Sequence, residues 1–231
     1  MVTEQEIKNW YNEKHLRLGE KAWRPLSEYS IFLEHLKAEP NKKLLDVGCG
    51  TGNTLRQADL RGLNTFGVDI SEEGVKIAKQ TSPNSTIVLG KAESLDFPDN
   101  YFDYIVCVGA MEHFLDMDKG ISEMARVAKK DASFCIVVPN VDWLLYKKMG
   151  VPGTDQQDIN ENLLTLDKWK AFFSNHNFKI KSVYRDMWGK KLIEGFVRGK
   201  SISEKIYYKI LWGFLPMKYN YQFIFILKLD E

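Results

Sequence analysis

The stretch Leu44-Leu45-Asp46-Val47-Gly48-Cys49-Gly50-Thr51-Gly52-Asn53 passes from an apolar, β-prone run through three alternating glycines into helix-forming sequence. Glycine adopts positive φ without a Cβ penalty, so such a turn closes tightly and presents bare N–H groups and a helix start to a polar or anionic ligand. The next β-prone run ends at Asp69. It lies about 20 positions beyond Gly50, the offset at which an acidic side chain accepts the hydroxyls of a ribose. The glycines alone read equally as a plain strand-to-helix turn, but strand, turn, helix and acidic strand end together point to a nucleoside cofactor. The dinucleotide fingerprint G-x-G-x-x-G wants glycine at position 53, where Asn53 stands, and this disfavours a nicotinamide enzyme.

Outward from this turn, β-rich runs alternate with helical ones between Lys43 and Asn140, the pattern of a parallel sheet built from βαβ units. Strands are expected at Leu44–Val47, Thr65–Ile70, Thr86–Leu89, Phe102–Val108 and Ser133–Val138, with helices over Asn53–Leu60 and Glu72–Gln80. Asp116 offers an N-cap to a helix placing Met117, Ile121, Met124 and Ala128 on one face. Upstream, Glu4–Leu16 reads as a helix, and a second opens at Pro25 and is closed by Pro40. Downstream, Asp167 caps a helix through Phe173, and Lys179–Met187 and Tyr221–Leu229 read as the last two strands. The connection 189–219 is long and carries Ile202, Ile206, Ile210 and Phe214 at four-residue spacing beside Lys205 and Lys209. It is expected to be an added amphipathic helix, a flap over the acceptor, a packing or dimer face, or a shallow membrane contact.

The expected organisation is a single domain over 1–231: a helical N-terminal cover (1–40), a cofactor-binding core (41–188), the insertion (189–219) and a final strand (220–231). At 231 residues, 44% hydrophobic and 27% charged, the chain has the composition of a globular protein. A formal net charge of +1 supplies no global field for a polyanion, which disfavours nucleic acid as a partner. No run approaches the ~20 apolar residues of a membrane span. Cys49, Cys107 and Cys135 stand singly, without metal or disulfide spacing, and the N-terminus lacks the signature of a signal peptide; a cytoplasmic setting is expected.

The turn Asp46-Val47-Gly48-Cys49-Gly50-Thr51-Gly52 resembles the first motif of the class I S-adenosylmethionine-dependent methyltransferases. The resemblance continues in order through Gly67-Val68-Asp69-Ile70-Ser71, Ala92-Glu93, Phe97-Pro98-Asp99-Asn100-Tyr101-Phe102-Asp103 and Met111-Glu112-His113. It implies an α/β, Rossmann-like, doubly wound and mainly parallel sheet with N-terminal helices and a C-terminal antiparallel strand. It also implies S-adenosylmethionine as cofactor, with Asp46, Gly48, Cys49, Gly50, Thr51 and Gly52 holding the methionine part. Asp69 takes the ribose hydroxyls, Ile70 packs on the adenine, and Ala92 and Glu93 meet the adenine edge. Lys91 stands where the family often has an acid. Val108 and Gly109 pass beneath the sulfonium.

His113 follows at once and is the candidate general base for a hydroxyl acceptor, against a structural role in orienting the next helix. Trp10, Tyr11, His15, Trp23 and Arg24 crowd a segment that packs over cofactor and substrate in related enzymes, where Arg24 is a candidate partner for the methionine carboxylate or a surface residue on an aromatic face. No metal site is expected, because helix capping explains Asp116 and Asp118, and a helix terminus explains His176. The expected reaction is transfer of a methyl group to a small molecule at a hydroxyl oxygen. The alternatives are a non-catalytic S-adenosylmethionine-binding protein and a methyltransferase acting on a macromolecule.

Overall fold

The computed structural model describes residues 2–19, 24–144, 146, 159–187, 199, 201–203, 206, 210 and 213–230. A seven-stranded sheet comprises β1 (Lys43–Val47), β2 (Asn64–Asp69), β3 (Thr86–Leu89), β4 (Phe102–Val108), β5 (Ala128–Pro139), β6 (Phe178–Arg185) and β7 (Gln222–Leu229). Their order is β3-β2-β1-β4-β5-β7-β6. Strands β1 to β5 run parallel, and β7 is antiparallel to both β5 and β6. This is the mainly parallel, doubly wound sheet that the sequence implies.

The central strands are apolar at successive positions because helices cover both faces of the sheet. Along β5, Phe134, Ile136 and Val138 enter one core with Trp169 and Phe173, while Cys135 and Val137 enter the other with Phe32, Leu33 and Leu55. The first face is covered by α5 (Met117–Val127) and α6 (Leu166–Asn175). The second is covered by α2 (Leu26–Leu36), α3 (Asn53–Asp59) and α4 (Glu72–Thr81). Most expected boundaries shift by a residue or two, and β5 starts at Ala128 instead of Ser133. Ala128 opens β5 instead of extending α5, because the Arg126 and Val127 carbonyls accept from the Asn100 and Tyr101 N–H groups rather than from a further helical turn. Thr165, not Asp167, caps α6: its hydroxyl accepts from the Lys168 N–H, which brings Leu166 into the helix and onto the core.

The long connection before β7 lies mostly outside the described residues, as do Lys205, Lys209, Trp23 and Trp188. Its described members Ile202, Ile206, Ile210 and Phe214 are exposed, whereas Leu215 is buried. Among the described residues, no helix is long and apolar enough to cross a membrane.

Strand order reverses between β1 and β4, and their carboxyl ends open the crevice where ligands bind in sheets of this kind. The two ends come close because Gly48 has no side chain: a Cβ there would lie 2.4 Å from the Ala110 Cβ. Gly52, at φ +80°, sits against α4, where a Cβ would lie 3.0 Å from the Ala78 Cα. A third packing glycine is therefore present, one position earlier than the dinucleotide fingerprint places it. Helix α1 (Glu4–Leu18) crosses above this crevice. Its Thr3–Glu6 capping box fixes its start, and Lys8 and Asn12 dock it on Glu72 of α4.

The glycine contacts make a separable prediction. Gly52→Ala combines left-handed strain with overlap against main chain, and should cost roughly 2–3 kcal/mol. Gly62→Ala carries the strain without the overlap, since φ is +76° and its nearest neighbour would stand at 3.6 Å; it should cost about 1 kcal/mol. Equal losses in chemical denaturation would show that the Gly52–Ala78 approach does not constrain the fold.

Candidate active site

At the carboxyl ends of the strands lies a cavity of about 250 Å³, walled by the glycine turn, the ends of β2 and β4, the loop after β3, helix α1 and the start of β7. Asp69 forms its corner. Oδ2 accepts the Gly50 N–H at 2.7 Å, and Oδ1 accepts the Ser71 N–H at 2.9 Å. Both bonds aim the carboxylate across the turn and leave lone pairs for a ligand. Asp46, 2% exposed, is pushed up to about 7, first by burial and then by Asp69, against a hydrogen bond with Thr54. Burial also raises the Cys49 thiol well above its ordinary value, which keeps it protonated and unreactive.

Across the cavity, a single helical turn, Met111–His113, follows β4. Glu112 and His113 are both buried, with His113 Nε2 3.9 Å from Glu112 Oε1. Glu112 Oε2 has no hydrogen-bond partner among the described residues. Burial pushes the Glu112 carboxyl up to about 8, with Glu161 adding to the rise and its own backbone N–H opposing it. The His113 ring meets the Tyr11 ring edge-on at 5.9 Å. Arg24, 7% exposed, donates to Asp186 and to Gln222, each at 2.8 Å. This buried pair ties the N-terminal segment to the last two strands beside the cavity.

Arg24, Asp46, Gly48, Cys49, Gly50, Thr51, Asp69, Ile70, Ala92, Glu93, Val108 and His113 all line this one space. Gly52 lies behind the turn, against α4. Glu93 also accepts the Asp116 N–H at 3.3 Å, so it braces the loop before α5. Lys91 pairs with Glu4 of α1. Asp116 caps α5, and Asp118 reaches His176 at 3.1 Å. Among the described residues, no cluster of three or more His, Cys, Asp and Glu side chains is placed to hold a metal ion.

Sequence reading placed Tyr11 and His15 in a segment over cofactor and substrate, but singled out neither Glu4 and Ile7 on the same helix face nor the residues entering β7. Glu4, Ile7, Tyr11 and His15 line the cavity together with Tyr221 and Gln222. The α1 set recurs at spacings of three and four, one face of a helix, and that spacing is a signal available in the sequence. Tyr221 and Gln222 carry no such signal, because their position depends on where β7 inserts between β5 and β6.

The residues present fit a nucleoside with a charged tail: a bare glycine cradle, a carboxylate with open lone pairs and a buried, acid-rich floor. Residues 45–136 match the model of a methyltransferase domain. The chain is 28% identical over 177 residues to the uncharacterized methyltransferase YcgJ of Bacillus subtilis, across 72% of this chain and 68% of that protein. It is 32% identical over 195 residues to the 2-methyl-6-phytyl-1,4-hydroquinone methyltransferase of Synechocystis, across 76% of this chain and 59% of that one. It spans about half the length of several other curated relatives. Among solved structures, the phosphoethanolamine N-methyltransferase 2 of Haemonchus contortus in complex with S-adenosyl-L-methionine shares the fold with a TM-score of 0.69 at 19% identity, covering 99% of this chain and 58% of that one. Strand order, glycine turn and domain match agree: residues 45–136 match a methyltransferase domain, the sheet has the fold of the S-adenosylmethionine-dependent methyltransferases it resembles, and the match supports S-adenosylmethionine as cofactor.

Proposed function

We propose that this protein transfers a methyl group to a hydroxyl oxygen of a small molecule. The observation that carries the reading is the meeting of two unlike walls in one cavity. The glycine turn and Asp69 form one wall, and the buried Glu112–His113 pair with Tyr11 and Tyr221 forms the other. Similarity to a hydroquinone methyltransferase supports a hydroxylated acceptor.

S-adenosylmethionine supplies an electrophilic methyl group on a sulfonium. In this reading Asp46 and the Gly48–Gly52 turn hold its methionine part, Asp69 its ribose, and Ile70, Ala92 and Glu93 its adenine, with Arg24 near the carboxylate end. Val108 and Gly109 leave room for the reacting atoms at the end of β4. His113 takes the proton of the acceptor hydroxyl as the oxygen attacks, and Glu112, 3.9 Å from Nε2, faces the imidazolium that forms. Tyr11, closing from α1, excludes water from that step. Alignment and water exclusion supply most of the acceleration, because the methyl donor is already activated.

Three measurements test this. S-adenosylhomocysteine at about 100 times its dissociation constant should stabilise the protein by roughly 2.7 kcal/mol, and NAD should not. Asp69→Ala should weaken that binding at least tenfold with an unchanged circular-dichroism spectrum. The opposite ligand ranking would defeat the cofactor reading. Incubation with methyl-labelled S-adenosylmethionine and a small-molecule extract should yield a methyl ether. Label found on nitrogen, carbon or a macromolecule would overturn the hydroxyl assignment while leaving methyl transfer intact.

Glu112 should also leave a signature in the stability of the ligand-free protein. A carboxyl whose folded value lies near 8, above its ordinary 4.5, binds more protons in the native than in the unfolded state. Its contribution is therefore complete below about pH 4.5, declines as pH rises, and is lost above about pH 8. Glu112→Gln should remove that decline. The variant's melting temperature should match the parent at pH 5 and exceed it by several degrees at pH 9. Parallel curves for the two proteins would refute a buried, proton-binding Glu112.

A further inference from the structure

Four side chains between α1 and α4 allow the protons of a buried imidazole to be assigned. Lys8 and Asn12 hold the Glu72 carboxyl below its ordinary range, so at neutral pH it only accepts. Asn12 Nδ2 donates to it at 2.8 Å. The amide orientation is thereby set, and Asn12 Oδ1 faces Ser71, accepting the Ser71 Oγ–H at 2.7 Å and the Glu73 N–H at 3.3 Å. A hydroxyl has one proton, and that of Ser71 is now committed. The same oxygen accepts the Gly74 N–H at 3.0 Å and lies 3.0 Å from His15 Nδ1. Nδ1 must therefore carry a hydrogen and donate it. Burial lowers the affinity of His15 for a second proton, with Lys14 acting the same way and Asp69 opposing both. The ring is neutral, and Nε2 carries the lone pair.

That nitrogen faces the cofactor's corner. His15 is 4% exposed and lines the cavity, and Nε2 is 3.7 Å from where a Cβ on Gly50 would stand. Gly50 is also the residue whose N–H fixes Asp69. The space between the glycine turn and the end of β2 is thus flanked by two acceptors on different elements. A ligand matching both presents two adjacent donors, as a ribose diol does. The tight seat of the ring agrees with a fixed orientation: a Cβ on Gly74 would stand 2.7 Å from His15 Nδ1, so glycine there makes room for the ring.

We propose that His15 Nε2 accepts a hydrogen bond from a ribose hydroxyl of the bound cofactor, alongside Asp69, and that α1 thereby contributes to nucleoside selectivity. The inference rests on the cavity holding S-adenosylmethionine with its ribose at Asp69. It assigns α1 a direct binding role, so closure of this helix and recognition of the cofactor become one event.

The test is calorimetric binding of S-adenosylhomocysteine and of its 2′-deoxy and 3′-deoxy analogues to the whole protein and two variants. His15→Phe keeps the ring volume and removes both nitrogens; His15→Gln restores an acceptor near the position of Nε2. The phenylalanine variant should bind S-adenosylhomocysteine about tenfold more weakly, the effect of one lost hydrogen bond. It should bind one of the deoxy analogues as well as the parent does, and glutamine should recover most of the loss. Equal weakening toward all three ligands would reduce His15 to a packing residue and overturn the proposal. So would unchanged binding of S-adenosylhomocysteine by the phenylalanine variant. A parent protein that binds S-adenosylhomocysteine without weakening on Asp69→Ala would fail the cofactor orientation itself, a result distinct from either. Should His15→Phe lower the melting temperature, the selectivity of the glutamine variant between the ribose and deoxy ligands decides the matter.

Discussion

The close approach of β1 and β4 at their carboxyl ends is the constraint from which the rest of the site follows. A side chain on Gly48 would collide with Ala110. Without one, the turn after β1 folds directly beside the backbone leaving β4, and the cavity floor is main chain instead of side chain. Bare N–H groups then do what longer side chains could not: Gly50 fixes Asp69 from across the turn, and fixed backbone dipoles need no reorganisation when a ligand arrives.

A second consequence is electrostatic. Asp46, Asp69 and Glu112 all lie buried around this floor. Removal from water destabilises their charged forms, which is why Asp46 and Glu112 are pushed up to about 7 and about 8. A cavity built this way is better matched to a cation than to an anion. Arg24, the buried guanidinium nearby among the described residues, is already held by Asp186, so it offsets little of this acidity. Arg24 and Asp186 illustrate a further cost of burial: removing either partner leaves a charge in low dielectric, so the pair binds the N-terminal segment firmly to the last strands.

Helix α1 is attached differently. Of its residues only Ile7, Lys14 and His15 are buried, and its docking on α4 and on the loop after β3 runs through polar contacts at Lys8, Asn12 and Glu4. Exposed polar contacts are individually weak, and segments held by them open at a small fraction of the global unfolding free energy. The buried contact of His15 with Ser71 adds to these, while the sheet by itself holds Asp69 and the glycine turn in place.

Local chemistry made the core legible from the amino-acid order alone. The glycine turn, Asp69 at the end of β2 and the β-rich runs from Lys43 onward each carry a signal within a short window, because strand periodicity and glycine φ are properties of neighbouring residues. Helix boundaries were legible to within a turn; at α5 the Asn100 and Tyr101 N–H groups take the Arg126 and Val127 carbonyls and end the helix one residue before the last apolar position of its expected face. The remainder was decided only by tertiary structure. Arg24 meets Asp186 and Gln222 across 162 and 198 positions of chain. Tyr221 reaches the cavity because β7 inserts between β5 and β6. His15 acquires a defined tautomer only once Ser71, Asn12 and Glu72 assemble around it. Such pairings have no period and no motif: a hydrogen bond depends on which groups the folded chain brings within about 3 Å, and separation along the sequence does not encode that.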